Sequence, residues 1–342
     1  MKCVRIHEHG SFDKLLFEEI PPPRITSSEV LVNVKATSLN HLDLWVRKGL
    51  PGVTFPLPII PGVDAAGIVA EVGEGVSHVH PGDRVVVAQG ISCGHCTVCL
   101  NGQDNLCKEY RLIGEHRDGA DAEFLSVPGR NVIKLRAAVS FEQAAAGALV
   151  FLTAWQMLVD KAKVRPGEDV LVMGASSGVG SAGIQIAKLF GARVIAVTSS
   201  EGKAAHARSL GADEIILHTK EKITDRVRDI TAKRGVDIVF EHVGSGVWDA
   251  CIRSLTKGGR LVTCGATSGH EAITDLRYIF YKQLQILGST MGRKGDLITI
   301  LNFFEQGKLK PVIDRVIPLD QVREGHRLLE ESEQFGKIVM TP

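Results

Sequence analysis

The sequence lacks several features that would place it in a specialised class. No apolar run approaches the roughly 18 residues that a membrane span requires, and no segment resembles a signal peptide. Its charges nearly cancel, because 40 Lys and Arg residues stand against 39 Asp and Glu residues, and no basic cluster predicts a nucleic-acid partner. Aromatic residues make up only 5% of the 342 residues. We therefore expect a cytoplasmic globular protein of about two domains that binds neither nucleic acid nor a membrane.

Cysteine is also sparse, with seven residues, yet four of them lie in one short segment. Cys93, Cys96, Cys99 and Cys107 form a C-x2-C-x2-C-x7-C pattern, whose two-residue gaps let a tight turn direct successive thiolates toward one Zn²⁺ ion. A disulfide cluster is the alternative, and the expected cytoplasmic location disfavours it. Because four cysteines leave no open coordination position for water, the pattern predicts one structural zinc rather than a catalytic one.

The pattern of apolar residues changes along the chain. Residues 1–140 contain alternating segments such as EVLVNVKATS, together with many prolines, which predict a β-rich domain. Residues 141–291 contain continuous apolar strands such as DVLVMG separated by amphipathic helices, a pattern typical of a parallel sheet covered on both faces. Residues 292–342 contain one helix and short strands, and we expect them to return to the first domain.

A glycine-containing loop follows the first strand of the second domain, in the segment VLVMGASSGVGSAGIQIAK. In the strict G-x-G-x-x-G register two glycines are replaced, by Ala175 and Ser177, but Gly174, Gly178 and Gly180 still permit a tight turn and a close backbone approach. An ordinary strand-to-helix turn is the alternative. The repeated strand–helix pattern favours a loop that binds the pyrophosphate of a dinucleotide at a helix N-terminus.

The end of the second strand bears on which dinucleotide is bound. An acidic residue there would bind the adenosine ribose and repel a 2′-phosphate, but this sequence has the neutral Thr198. Ser199, Ser200 and Lys203 follow and could donate hydrogen bonds to a phosphate, although Glu201 opposes them. We predict a preference for NADP(H) over NAD(H).

Together these features resemble the medium-chain dehydrogenase/reductase superfamily, which includes zinc alcohol dehydrogenases and zinc-free quinone oxidoreductases. The segments VLVNVKATSLNHLDLWVRKG, PGVDAAGIVAEVGEGV and PGDRVVV match its N-terminal signatures in order and spacing. The resemblance implies an α/β protein with a GroES-like β-rich catalytic domain over residues 1–140, a zinc lobe near residues 90–110 and a Rossmann doubly wound parallel sheet over residues 141–291. It also implies a homodimer or homotetramer.

The sequence departs from the alcohol dehydrogenase branch at the catalytic zinc. The three ligand positions of that branch fall at Asn40, Val63 and Leu149, and neither valine nor leucine can bind a metal. Asn40, Asp43 and Asp64 instead resemble the quinone oxidoreductase branch. The resemblance therefore implies a site in which Asn40 donates a hydrogen bond to the substrate oxygen while Asp43 and Asp64 orient their neighbours.

From this we predict hydride transfer to a small-molecule quinone, enone or activated carbonyl, because a site without a Lewis acid favours acceptors that delocalise charge. Two alternatives remain open, a zinc-type alcohol dehydrogenase and a non-catalytic dinucleotide-binding protein. His116 is a further candidate acid. The positions predicted to bind the cofactor, from the loop and the resemblance, are His41, Thr153, Gly174, Ser176, Ser177, Gly178, Val179, Gly180, Thr198, Ser199, Ser200, Lys203, Val243, Gly265, Ala266, Ser289, Thr290 and Met291.

Overall fold

The computed structural model describes residues 1–342, which divide into two compact units. The first contains residues Met1–Leu149 and Arg293–Pro342, and the second contains Val150–Gly292. The strands are β1 (Lys2–Arg5), β2 (Leu16–Glu19), β3 (Glu29–Ser38), β4 (Asp64–Val72), β5 (Arg84–Val87), β6 (Gly90–Ile91), β7 (Arg111–Leu112), β8 (Phe124–Pro128), β9 (Val132–Lys134), β10 (Asp169–Val172), β11 (Arg193–Thr198), β12 (Glu214–Leu217), β13 (Val236–Glu241), β14 (Leu255–Thr263), β15 (Gln285–Gly288), β16 (Ile313–Pro318) and β17 (Lys337–Thr341).

The α-helices are α1 (His41–Lys48), α2 (Thr97–Leu100), α3 (Phe141–Trp155), α4 (Gly178–Leu189), α5 (Glu201–Ser209), α6 (Ile223–Ile230), α7 (Trp248–Ser254), α8 (Leu276–Lys282), α9 (Lys294–Glu305) and α10 (Val322–Glu330). A π-helical stretch, Gln156–Lys161, continues α3. No helix combines the length and the apolar composition that a membrane crossing requires.

The first unit is built on a seven-stranded sheet with the order β16-β17-β3-β4-β5-β9, in which β8 also pairs with β3. The long strand β3 is central because it pairs with β4, β8 and β17, all antiparallel. Its apolar side chains Val30, Val32 and Val34 are buried, as expected for a strand that packs on a core. The pairing of β17 with the end of β3 aligns Val339 with Ser38, which brings the last strand of the chain to the start of α1.

The second unit contains a six-stranded, fully parallel sheet with the order β12-β11-β10-β13-β14-β15. The four residues of β10 are all buried, because helices cover both faces of such a sheet. The strand order reverses between β10 and β13, so their carboxyl ends form the crevice where doubly wound folds bind nucleotides. The predicted fold class, a GroES-like domain with a Rossmann-type parallel sheet, is confirmed.

Candidate active site

A cluster of buried polar side chains lies in the first unit, where three strands meet the start of α1. Ser38 ends β3, Asn40 precedes α1, Asp64 begins β4 and Lys337 begins β17. All four are buried, with Asp64 fully inaccessible and the Lys337 side chain 4% exposed. Burying charged groups together is favourable only when they are paired and hydrogen-bonded, so the internal contacts of this cluster define its chemistry.

The carboxylate of Asp64 is the centre of the cluster, because it accepts hydrogen bonds from five donors. Its Oδ2 accepts from Ser38 Oγ at 2.8 Å, Asn40 Nδ2 at 2.8 Å and Lys337 Nζ at 3.2 Å. Its Oδ1 accepts from Gln89 Nε2 at 3.0 Å and from the backbone N–H of Leu149 at 3.1 Å. Five donors fill the accepting capacity of a carboxylate, so Asp64 has no lone pair left for a substrate. Its role is to orient the side chains that donate to it.

The side chain of Asn40 is held at both ends. Its Oδ1 accepts from Lys337 Nζ at 2.5 Å, and its Nδ2 donates to the Ser38 carbonyl at 3.1 Å as well as to Asp64. Both amide hydrogens are therefore engaged within the protein. Hydrogen bonding from Asn40 to a substrate oxygen stays a prediction, and it requires Asn40 to release one of these two acceptors.

Lys337 is the one cation of the cluster, and sequence reasoning missed it. Burial lowers the pKa of Lys337, while the charges of Asp64 and Asp43 and the hydrogen bond to Asp64 act in the opposite direction. The sequence contains one signal that could have identified it: a lysine is the first residue of the apolar segment KIVMT. That segment belongs to residues 292–342, which are expected to return to the first domain. A buried charged residue at the start of a mostly buried strand requires a buried partner.

Two further carboxyl groups lie close to this cluster. Asp43 accepts hydrogen bonds from the N–H groups of Asn40 at 2.7 Å and Gly62 at 3.2 Å, and burial raises its pKa to about 7. Burial and the charges of Asp43 and Asp64 raise the pKa of Asp121 well above its ordinary value. Asp121 accepts from Thr37 Oγ1 at 3.0 Å through one oxygen, and its other oxygen has no partner. One lysine cannot neutralise three buried carboxylates, so Asp121 is the group that remains protonated.

The remaining positions that would hold a catalytic zinc in the alcohol dehydrogenase branch are apolar. Val63 is fully buried, and Leu149 is buried with its backbone N–H bonded to Asp64. Groups of three or more Cys, His, Asp or Glu side chains with converging ligand atoms occur only in the segment that contains Cys93. The donor atoms at Asn40, Val63 and Leu149 therefore do not form a set that suits zinc.

The four predicted cysteine ligands converge in the zinc lobe. The sulfur atoms of Cys93, Cys96, Cys99 and Cys107 all lie within 4.8 Å of one another, and left-handed glycines at Gly94 (φ 81°) and Gly102 (φ 71°) form the tight turns between them. Four thiol groups at such distances fit a tetrahedral zinc with no open position.

Other segments of the first unit hold this lobe in place. Arg130 donates to the Cys93 carbonyl at 3.0 Å, and the Lys294 backbone N–H donates to Asp104 at 3.1 Å. Helix α9 is thereby joined to the lobe. The Nδ1 of His116 accepts from the Leu112 N–H at 3.1 Å within its own turn, and its role as an acid stays a prediction.

In the second unit, the predicted phosphate loop connects β10 to α4 at the carboxyl end of the sheet. Ser177 precedes α4 and its Oγ accepts from the Gly180 N–H at 2.9 Å, which caps the helix. Gly180 must be glycine, because a Cβ there would lie 2.3 Å from the Gly174 carbonyl oxygen. The loop therefore has the close packing that dinucleotide-binding loops require.

Several predicted cofactor positions carry unused hydrogen-bonding groups. The buried hydroxyls of Thr153, Thr198 and Ser289 have no partner within the protein. Thr198 ends β11 and Ser289 directly follows β15, at the sheet edge where a nucleotide is expected. Buried hydroxyls normally have a partner, so these residues fit a bound nicotinamide dinucleotide.

The other predicted cofactor positions are distributed over both units. Ser200 caps α5 by accepting from the Lys203 N–H at 3.4 Å, and the Ser199 carbonyl accepts from Thr219 at 2.9 Å. His41 is the first residue of α1 in the first unit. In the second unit, Gly178 and Val179 are the first residues of α4, and the remaining predicted residues lie in the loops that follow β10, β13, β14 or β15: Gly174, Ser176, Val243, Gly265, Ala266, Thr290 and Met291. Sequence reasoning missed His242 beside this loop.

Family models match both parts of the chain. Residues 26–137 match the model of the alcohol dehydrogenase GroES-like domain, and residues 178–306 match that of the zinc-binding dehydrogenase. The chain belongs to the zinc-type medium-chain dehydrogenase/reductase superfamily. It is an NAD(P)-dependent oxidoreductase.

Relatives of this medium-chain dehydrogenase carry two kinds of name. An acryloyl-coenzyme A reductase of Metallosphaera sedula is 31% identical over 100% of both chains. An alcohol dehydrogenase of Geobacillus stearothermophilus is 33% identical over 95% of this chain and 96% of that protein. A crystal structure of an NAD-dependent alcohol dehydrogenase is 49% identical, with both chains covered completely and a TM-score of 0.97.

Proposed function

We propose that this dehydrogenase reduces a carbon–carbon double bond conjugated to a carbonyl group, as in an enone or an unsaturated thioester, without a catalytic zinc. Quinones and activated carbonyls belong to the same electronic class. When bound, the nicotinamide cofactor supplies the hydride. Hydride addition at the carbon leaves negative charge on the substrate oxygen, where conjugation spreads it.

The observation that carries this proposal is the hydrogen-bonded group of Lys337, Asn40 and Asp64. It combines an amide with a carboxylate whose charge is already paired with an ammonium group, at a position where zinc would need unpaired thiolate, imidazole or carboxylate ligands. A simple alkoxide is poorly stabilised without a Lewis acid. An enolate oxygen carries less charge and can be stabilised by neutral donors.

The names of relatives support this reaction class. An acryloyl-coenzyme A reductase is among the curated relatives that match the full chain, and a crotonyl-CoA reductase of Streptomyces avermitilis is 31% identical over 95% of this chain. Acryloyl and crotonyl thioesters both contain a double bond conjugated to a carbonyl. The proposal therefore commits to activated alkenes as the main substrates.

Three finer proposals accompany it. The zinc lobe holds one structural Zn²⁺ through its four cysteines. NADP(H) is preferred over NAD(H), because no carboxylate stands at the end of β11 where Thr198 lies. The chain forms a homodimer or homotetramer, a proposal supported by the edge position of β15, where Ile286 is 43% exposed.

The test is an oxidation assay of NADPH and NADH with acryloyl-CoA, cyclohexenone and benzoquinone as acceptors, with zinc measured on the same sample. We expect saturable oxidation with the conjugated acceptors, one zinc atom per chain, and little oxidation of primary or secondary alcohols. Turnover confined to alcohols and simple aldehydes would contradict the proposal.

The second candidate is a zinc-dependent alcohol dehydrogenase. It is supported by the related crystal structure at 49% identity, which is that of an NAD-dependent alcohol dehydrogenase. This candidate predicts two zinc atoms per chain and alcohol oxidation that disappears when the second zinc is removed. Metal content and substrate class together distinguish the two.

A further inference from the structure

His242 lies against the phosphate loop and takes part in none of the roles described so far. It directly follows β13, the strand next to β10 at the point where the strand order reverses. Its Nε2 lies 3.3 Å from Ser177 Oγ. A Cβ on Gly174 would lie 2.8 Å from the His242 ring carbon Cε1, so the ring occupies the space that a larger residue at the start of the loop would need.

The ring of His242 is neutral at physiological pH. Burial lowers the pKa of His242 to about 4, although a backbone hydrogen bond at Met173 acts in the opposite direction. A neutral imidazole has one donor nitrogen and one acceptor nitrogen. The nitrogen that faces the Ser177 hydroxyl is Nε2, and Nε2 is an acceptor in the tautomer that carries its hydrogen on Nδ1.

Ser177 has one hydrogen to donate, and its oxygen is already engaged. The oxygen accepts from the Gly180 N–H at 2.9 Å. The N–H groups of Gly178 and Val179, in the first turn of α4, make no hydrogen bond within the protein. Free first-turn N–H groups are the donors that bind phosphates at helix N-termini.

We propose that His242 is a positioning residue for the cofactor pyrophosphate. Its Nε2 accepts the Ser177 hydroxyl hydrogen and so fixes Ser177 Oγ on the Gly180 N–H. This holds the first turn of α4 in the conformation that presents the N–H groups of Gly178 and Val179 to the pyrophosphate. The proposal concerns cofactor binding alone and does not depend on which acceptor the enzyme reduces.

The test is a double-mutant cycle with His242→Phe, Ser177→Ala and the double variant in the full-length protein. The dissociation constants of NADPH, NADH, ADP and adenosine are measured for each. Loss of one hydrogen bond corresponds to a change of about tenfold in affinity. We expect each single variant to bind NADPH, NADH and ADP about tenfold more weakly, and the double variant to bind no more weakly than either single.

Adenosine serves as the discriminating ligand because it lacks phosphate, so its affinity should not change. His80→Gln is the matched control, since the His80 side chain is 71% exposed in the first unit, and it should bind all four ligands as the parent does. If His242→Phe fails to fold, His242→Gln, which keeps an acceptor, is compared with Ser177→Ala instead and should bind ADP more tightly than that variant.

Two results would overturn the proposal. Losses that multiply to about 100-fold in the double variant would show that His242 and Ser177 act independently. Equal losses for ADP and adenosine would show a general disturbance of the domain rather than an effect on the pyrophosphate.

Discussion

The ammonium group of Lys337 lies 2.5 Å from the side-chain oxygen of Asn40. These residues are almost 300 positions apart in sequence, and the pairing of β17 with β3 brings them together. The last strand of the chain thus completes a cluster whose other members come from the first 149 residues. Without β17, the buried carboxylate of Asp64 would have no cation as its partner.

Substituting Lys337 by methionine should destabilise the protein. Asp64 would remain buried without its cation. Removing one partner of a buried ion pair typically lowers the free energy of unfolding by about 3–5 kcal/mol. The measurement is urea denaturation at pH 7. Lys35→Met, at an exposed position on β3, is the control and should change stability little.

The double variant Lys337→Met/Asp64→Asn removes both charges and should recover part of the loss. A Lys337→Met protein as stable as the parent would contradict the buried pair.

Substituting Asp121 by asparagine should make stability less dependent on pH. The pKa of Asp121 is raised well above its ordinary value of 3.8, so the folded protein keeps a proton that the unfolded chain releases. Its contribution to stability is complete below pH 3.8 and is lost as pH rises toward the folded-state pKa. Each such proton contributes up to about 1.4 kcal/mol per pH unit.

We therefore expect Asp121→Asn to lose less stability than the parent between pH 5 and pH 8, as measured by urea denaturation across that range. Asp118→Asn, a change of the same kind at a position whose carboxylate accepts from the Ile60 N–H, is the comparison. A parent and an Asp121→Asn variant with equal slopes would indicate that Asp121 is ionised when folded.

The fold could be predicted from the sequence because its patterns are local. Continuous apolar strands with intervening helices indicate a parallel sheet without knowledge of any long-range contact. The same holds for the zinc lobe, whose four cysteines lie within 15 residues of one another from Cys93 to Cys107. The resemblance to the medium-chain superfamily then identifies the first domain as GroES-like and the second as Rossmann-type.

The contacts of the candidate site could not be predicted, because they depend on long-range pairing. Asn40, Asp43 and Asp64 were selected from the resemblance, but Lys337 and Asp121 join them only through sheet register and packing. The same limit applies to His242, whose contact with Ser177 spans 65 residues. A charged residue at the start of an apolar strand is the one local signal from which Lys337 could have been predicted.

Substituting Cys99 by serine should release the zinc and destabilise the lobe. A structural zinc contributes its binding free energy to folding, and Asp104 within the lobe also holds α9 through Lys294. We expect less than one zinc atom per chain and a lower Tm. The control is Cys264→Ser, which removes an isolated thiol of the second unit. This variant should keep one zinc atom per chain. A Cys99→Ser protein with parental Tm but no turnover would mean that the metal acts in catalysis.

Substituting Thr198 by aspartate should shift cofactor preference toward NADH. The new carboxylate at the end of β11 can bind the ribose hydroxyls of NADH and repel the 2′-phosphate of NADPH. The measurement is kcat/KM for each cofactor, and Ser209→Asp, which adds the same charge at the exposed end of α5, should leave the ratio unchanged. A parent enzyme with higher kcat/KM for NADH would contradict the predicted preference.

Substituting Asn40 by alanine tests whether its amide contacts the substrate. In the free protein, the Asn40 amide donates to the Ser38 carbonyl and to Asp64. The bond to the Ser38 carbonyl, at 3.1 Å, is the longer of the two. We expect the N–H of that bond to turn toward a substrate oxygen. Loss of such a donor typically lowers kcat by about 10²–10³. Loss of the contacts to Lys337 and Asp64 should also lower Tm, so kcat and Tm are measured together.

Ser38→Ala separates the catalytic role of Asn40 from the structural one. Alanine at position 38 removes one hydrogen bond to Asp64 but leaves the Asn40 amide in place, so Ser38→Ala should lower Tm and keep kcat near the parental value if donation from Asn40 to the substrate matters. If Asn40→Ala lowers Tm while kcat stays at the parental value, Asn40 serves only to hold Lys337 and Asp64. The donor to the substrate would then be another residue, and Thr153 and His116 are the candidates that the sequence offers.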